Sequence, residues 1–259
     1  MDFCRLRIDD REEWCLLEKG GASVISGAPW SNWEMSGEKA DLSGSSFLFP
    51  AAPKNIVGIG KNYKSNFKEG ESYPEKPILF WKGIGTLASH EDIVYLPEYS
   101  KKVFIEGELV LIIGKTAKNI FAENAMDYVF GFTCSNDLTA VDMLENGMKW
   151  FEAKSADGFL PVGPIVTTSI GENARLQTFL NGERVQNTTV DQLVFSPAEL
   201  VSYVSSILTL HPGDLISTGS PAGRQVVSGD EVEVRLQGVG TLKNLSGDLY
   251  EEGSSDLKK

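Results

Sequence analysis

Glu106 and Glu108 stand two residues apart inside an apolar run, Val103-Phe104-Ile105-Glu106-Gly107-Glu108-Leu109-Val110-Leu111-Ile112-Ile113. The run reads as one strand, and because side chains alternate faces along a strand, the two carboxylates point the same way. Two like charges on a partly apolar face repel each other. A hard divalent cation taking oxygen ligands would let both stay ionised. A half-exposed strand with solvated glutamates would carry the same residues, so other groups must decide. Asp137 closes a second apolar run, residues 128–137, and brings a third carboxylate to a strand end, where it could equally be the N-cap of a helix over residues 138–144. Lys154 and Asp157 fall in residues 149–164, a stretch rich in glycine and proline that reads as an irregular loop. Aromatic, charged loops of this kind carry function more often than merely polar ones.

Other chemistries are poorly supplied. The two histidines, His90 and His211, both lie in turn-like surroundings, and no G-x-S-x-G elbow is present, which removes the serine triad. Zinc hydrolysis needs more histidine or cysteine ligands than the chain offers, because Cys4, Cys15 and Cys134 lack metal or redox spacing. Gly58-Ile59-Gly60 misses the dinucleotide fingerprint at Tyr63, and Gly114-Lys115-Thr116 misses the phosphate loop at Leu109. An all-oxygen site remains, with Glu106, Glu108 and Asp137 as ligands for magnesium or manganese, and calcium as a further option.

The elements that must position these groups are mostly short strands between glycine turns, so the expected fold is mainly β (α+β) and rolled or barrel-like. Residues 1–52 read as a small strand-rich N-terminal domain, with Trp30 and Trp33 expected to pack against the larger unit, residues 53–250 as that larger domain, and 251–259 as a polar tail. A strand ending in Lys82 follows Pro77, and residues 64–71 could open a helix or lid. Asn181-Gly182 predicts a hairpin turn, and Ser196-Pro197 predicts the start of a helix reaching residue 208. The composition, 259 residues with 41% hydrophobic and 23% charged, is that of a soluble globular protein. A net charge of −12 argues against nucleic-acid or membrane partners. The acidic N-terminus lacks the pattern of a signal peptide, and a cytoplasmic location is expected.

The chain resembles the fumarylacetoacetate hydrolase family over most of residues 53–245. The likeness rests on Val57-Gly58-Ile59-Gly60 with Asn62-Tyr63, Phe80 with Lys82, Glu106-Gly107-Glu108-Leu109, the run from Tyr128 to Thr133, Asn136-Asp137, Lys154 with Asp157, Pro161-Val162-Gly163-Pro164, Asn181-Gly182-Glu183 with Gln186, Thr209 to Asp214, and Ser217-Thr218-Gly219-Ser220-Pro221. The resemblance implies a β-roll-like catalytic domain, a homodimer, and magnesium or manganese held by Glu106, Glu108 and Asp137. It further implies action on small 2-oxo or β-diketo acids through a metal-stabilised enolate, with Lys154 adding positive charge beside the developing oxyanion. Tyr63, Asn66, Lys82, Asp157, Gln186, Thr218 and Ser220 are the matching substrate-binding positions.

Three departures bear on the reaction. Asn66 occupies the place of a histidine that, with the glutamate matching Glu69, activates water in the family's hydrolases, and an amide is no general base. Val141 and Leu144 replace an arginine and a glutamine that grip substrate. The leading expectation is therefore decarboxylation, tautomerisation, isomerisation or related lyase chemistry, with Glu69 and Lys154 as catalytic residues. Hydrolytic carbon-carbon cleavage of an acylpyruvate or similar diketo acid and a non-catalytic metal-binding homologue remain as alternatives.

Overall fold

The computed structural model describes residues 1–248; the polar tail lies outside them. The mainly β reading holds. Among the described residues an eleven-stranded sheet runs through the molecule. It starts with the N-terminal strands Met35–Ala40, Gly21–Ile25, Arg11–Glu18 and Asp2–Ile8, the last also paired by Ser46–Leu48, then passes through Ile165–Thr167, Val129–Asn136, Gly107–Ile113, Leu215–Ser217, Ile56–Gly60 and Ile78–Trp81. The N-terminal strands thus extend the main sheet, because Asp2–Ile8 pairs with Ile165–Thr167.

Gly107–Ile113 is buried at every position, which explains the apolar run from Leu109 to Ile113 and leaves Glu108 as an enclosed carboxylate. Leu109, Leu111 and Ile113 face a core shared with the helix Pro197–Ile207 and with Leu176, Val234 and Leu242 of a second, five-stranded sheet. Val110 and Ile112 face Ile56, Leu160 and Val162 on the other side. Trp30 meets Phe130 of the larger unit edge-on at 5.9 Å, as expected, whereas Trp33 meets Phe3 of the N-terminal strands at 5.7 Å.

Local chemistry accounts for several boundaries. Ser196 and Glu199 form a reciprocal capping box ahead of Pro197. Asn181 and Gly182 take φ of 50° and 80°, the left-handed pair that a tight hairpin between Arg175–Leu180 and Glu183–Thr189 requires.

Four elements differ from expectation. The run 103–113 is two strands, Val103–Ile105 and Gly107–Ile113, lying in different sheets. Asp137 caps no helix: Thr139–Ala140 pairs with Val103–Ile105, and the helix Val141–Glu145 begins beyond it. Residues 149–164 contain a short helix, Trp150–Lys154. Residues 64–71 give a single 3-10 turn, Lys64–Asn66.

Candidate active site

Three neighbouring chain segments leave the large sheet and enter a small one made of Thr139–Ala140, Val103–Ile105 and Arg224–Val226. The crossings occur at Glu106, at Asp137-Leu138, and over residues 218–223. The three carboxylates gather at this seam: one ligand oxygen from each of Glu106, Glu108 and Asp137 lies within 4.8 Å of the others.

The crossing frees backbone groups from the ladder, and side chains take them up. Asn136 Oδ1 accepts from Glu106 N at 2.9 Å, and Gln186 Oε1 accepts from Gly107 N at 2.9 Å. Gln186 Nε2 donates to Ser220 Oγ at 2.9 Å and to the Ala222 carbonyl at 3.2 Å, so it fastens the third crossing to the first. Glycine is needed at 107, since a Cβ there would stand 2.1 Å from Thr178 Oγ1.

Glu108 is enclosed. Its carboxylate accepts from Ser217 Oγ at 2.6 Å and from Gly219 N at 2.9 Å. Burial first, and the Asp137 charge second, push its pKa up to about 8. Glu106 is partly open, with Lys154 Nζ at 2.7 Å and Thr139 Oγ1 at 3.1 Å. Asp137 is held between two ammonium groups: Lys82 Nζ lies 2.5 Å from one oxygen and Lys154 Nζ 2.7 Å from the other. Burial works to raise the Asp137 carboxyl, but Lys154 and Lys82 hold it below its ordinary range. Burial likewise opposes charge on Lys154, yet Asp137, Glu106 and Glu108 together lift it above the usual lysine value.

Two buried carboxylates and a partly open one, offering oxygen donors alone, suit a hard divalent cation. With Glu108 ionised, as a cation would require, three carboxylates set against two ammonium groups carry one net negative charge, which the cation would reverse to one net positive charge, favouring an anionic substrate.

The other sequence-designated positions divide. Lys82, matched to substrate binding, is wholly enclosed and spends its ammonium on Asp137 and the Phe159 carbonyl; burial lowers its pKa and Asp137 offsets part of that. Thr218 Oγ1 donates to the Leu109 carbonyl, and Ser220 is engaged with Gln186 and the Pro221 carbonyl. Tyr63 is buried in the main core with its hydroxyl unpaired, and burial, followed by the Glu108 and Asp191 charges, raises its pKa. Asn66 Oδ1 accepts from Tyr63 N at 2.8 Å, and Nδ2 donates to the Ser220 carbonyl at 3.2 Å. Glu69 is exposed on the following turn and, among the described residues, makes no hydrogen bond or ion pair with the cluster. Asp157 is exposed and lines a different cleft, with Tyr99 and Glu91. Ser217, Thr139 and Phe80 also shape the site. Ser217 carried a signal, a polar residue ending the buried run Leu215-Ile216; Thr139 carried none.

Residues 55–245 match the fumarylacetoacetate (FAA) hydrolase C-terminal family, and residues 1–50 match the Rv2993c-like N-terminal family. The chain therefore belongs to the fumarylacetoacetate hydrolase family. Within it, the chain is 38% identical over 214 residues to an oxaloacetate tautomerase of Bacillus subtilis, covering 76% of this chain and 71% of that one. The fold matches a 5-carboxymethyl-2-hydroxymuconate delta-isomerase from Mycobacterium smegmatis with a TM-score of 0.90, at 29% identity, covering 96% of this chain and all of that one. It also resembles a fumarylpyruvate hydrolase from Pseudomonas aeruginosa in complex with Mn2+ and pyruvate, at a TM-score of 0.69 and 29% identity, covering 76% and 91%.

Proposed function

We propose that this protein is a divalent-metal-dependent enzyme that tautomerises, isomerises or decarboxylates a small 2-oxo acid rather than hydrolysing it. The observation that carries the reading is the commitment of Asn66. Both ends of its amide are bound to backbone, and it offers no titratable group for activating water. Loss of carbon dioxide needs no activated water, and a tautomerisation or isomerisation needs only an acceptor for the proton leaving carbon, not a base that activates water.

A divalent cation, magnesium or manganese, held by Glu106, Glu108 and Asp137 would polarise the oxygens of a bound 2-oxo acid. Lys154, with its ammonium at 2.7 Å from two of these carboxylates, keeps a fixed, buried positive charge beside the cluster, available to a substrate oxygen that gains negative charge. Lys82, on the other oxygen of Asp137, fixes the orientation of that carboxylate. The reactions named for the Bacillus and Mycobacterium relatives, a tautomerisation and an isomerisation, support the same choice.

The test supplies purified protein with Mg2+ or Mn2+ and follows enol-oxaloacetate by its ultraviolet absorbance, with carbon dioxide release and acylpyruvate cleavage measured in parallel. Tautomerisation or decarboxylation that disappears on chelation is expected. Cleavage of acylpyruvates without either activity would overturn the proposal.

A further inference from the structure

Lys154 ends a helix of five residues, Trp150–Lys154, that has no side-chain N-cap. So short a helix does not hold itself together in water, so its place must come from docking. The docking surface is made by two glycines. Gly58 and Gly60 share one face of the strand Ile56–Gly60. A Cβ on Gly58 would lie 2.1 Å from Phe80 Cζ, and one on Gly60 would lie 2.8 Å from Trp150 Cη2. Phe80 is the cross-strand partner of Gly58, and its ring covers the space that the missing side chain leaves.

On this floor the rings of Phe80 and Trp150 stack, with centroids 4.9 Å apart and planes inclined by 17°. Lys154 Nζ stands 4.9 Å from the Phe80 centroid. Trp150 and Lys154 are four residues apart and so share a helix face. The indole is seated on the strand at one end of that face, and the ammonium reaches Glu106 and Asp137 from the other.

We propose that Trp150 is a positioning residue for Lys154: its indole, seated over Gly60 and stacked on Phe80, sets the helix so that the Lys154 ammonium meets Glu106 and Asp137. Trp150 need not touch substrate. The absence of side chains at 58 and 60 is then a requirement of the active site rather than of the strand. The proposal rests on the reading of Lys154 as the active-site cation.

Amine acylation of the metal-free protein, read lysine by lysine by peptide mass spectrometry, tests it. Lys82 is the internal control, because it is equally enclosed but lies on another element, and general unfolding would expose both. Gly60→Ala and Trp150→Ala are each expected to raise acylation of Lys154 about tenfold, equivalent to ~1.4 kcal/mol of lost local protection, with Lys82 unchanged. Adding Trp150→Phe to Gly60→Ala withdraws the outer indole carbons from the new methyl group and should return Lys154 toward its wild-type protection. Should Trp150→Ala fail to fold, Gly60→Ala and the double variant carry the test. The proposal is overturned if Lys154 reactivity is unchanged, if it rises only together with Lys82, or if the double variant is no better protected than Gly60→Ala. The readout needs neither cation nor substrate, so failure of every oxo acid to react would overturn the proposed function while leaving this result intact.

Discussion

Lys82 Nζ lies 2.5 Å from Asp137 Oδ1, and neither side chain reaches solvent. Lys82 neutralises Asp137 from within the protein, on the oxygen that Lys154 leaves free.

Removing one member of such a pair strands the other charge, a loss of about 3–5 kcal/mol in buried settings. Lys154 still faces Asp137 after Lys82→Met, so a destabilisation near the lower end, about 3 kcal/mol, is expected from urea unfolding. A change below about 1 kcal/mol would show that Asp137 does not depend on Lys82.

Glu108 predicts a pH dependence. Its carboxyl is raised from 4.5 to about 8 in the metal-free fold, chiefly by burial and then by Asp137. A cation requires the carboxylate, so the dissociation constant for Mn2+ should weaken about tenfold for each pH unit below about 8 and level off above it. The stability of the metal-free protein runs the same window in the opposite sense. With the folded value raised, this group's contribution is full below 4.5 and is lost as the pH rises through about 8. Calorimetric Mn2+ titrations and thermal unfolding across the range check both signs; an affinity flat with pH would contradict the assignment.

Cation binding should stabilise the fold. At a hundredfold excess over the dissociation constant, Mn2+ is expected to add about 2.7 kcal/mol to wild-type stability. Glu106→Ala should lose most of that increment while keeping the metal-free melting temperature close to the parent, because Glu106 is the open member of the cluster. An equal Mn2+ shift in both proteins would exclude Glu106 as a ligand.

Asn66→His tests the missing base. The substitution gives up the bond to Tyr63 N and costs about 1 kcal/mol of stability. With Glu69 exposed nearby in the chain, acylpyruvate cleavage should rise about tenfold, short of the ~10² that a well-positioned base supplies. Product analysis by chromatography decides; no gain would show that hydrolysis is limited elsewhere.

The carboxylate cluster was legible in the sequence because its signals are local: two glutamates in an apolar run and an aspartate ending another. The hairpin at Asn181-Gly182 and the start at Ser196-Pro197 were legible for the same reason, each being a matter of backbone dihedrals or capping. Lys82 was not. Nothing in Phe80-Trp81-Lys82 tells whether the ammonium faces substrate or the back of Asp137, since that depends on strands far apart in the chain. The helix Trp150–Lys154 was hidden because it has no cap and too few residues to show a period. Gln186 and Thr218 matched family positions, but the bonds that occupy them run to the backbone of Gly107 and Leu109, which only the folded register reveals.

The seam between the two sheets gives the cluster a mechanical property. Glu108 is anchored in the large sheet through Ser217, whereas Glu106 and Asp137 sit at the joints leading into the small one. The spacing of the three oxygens is therefore set by two sheets rather than one, like a caliper whose jaws belong to separate parts. The small sheet carries buried residues of its own, Val103, Ile105, Ala140 and Val226, so that jaw is seated in packing as the other is.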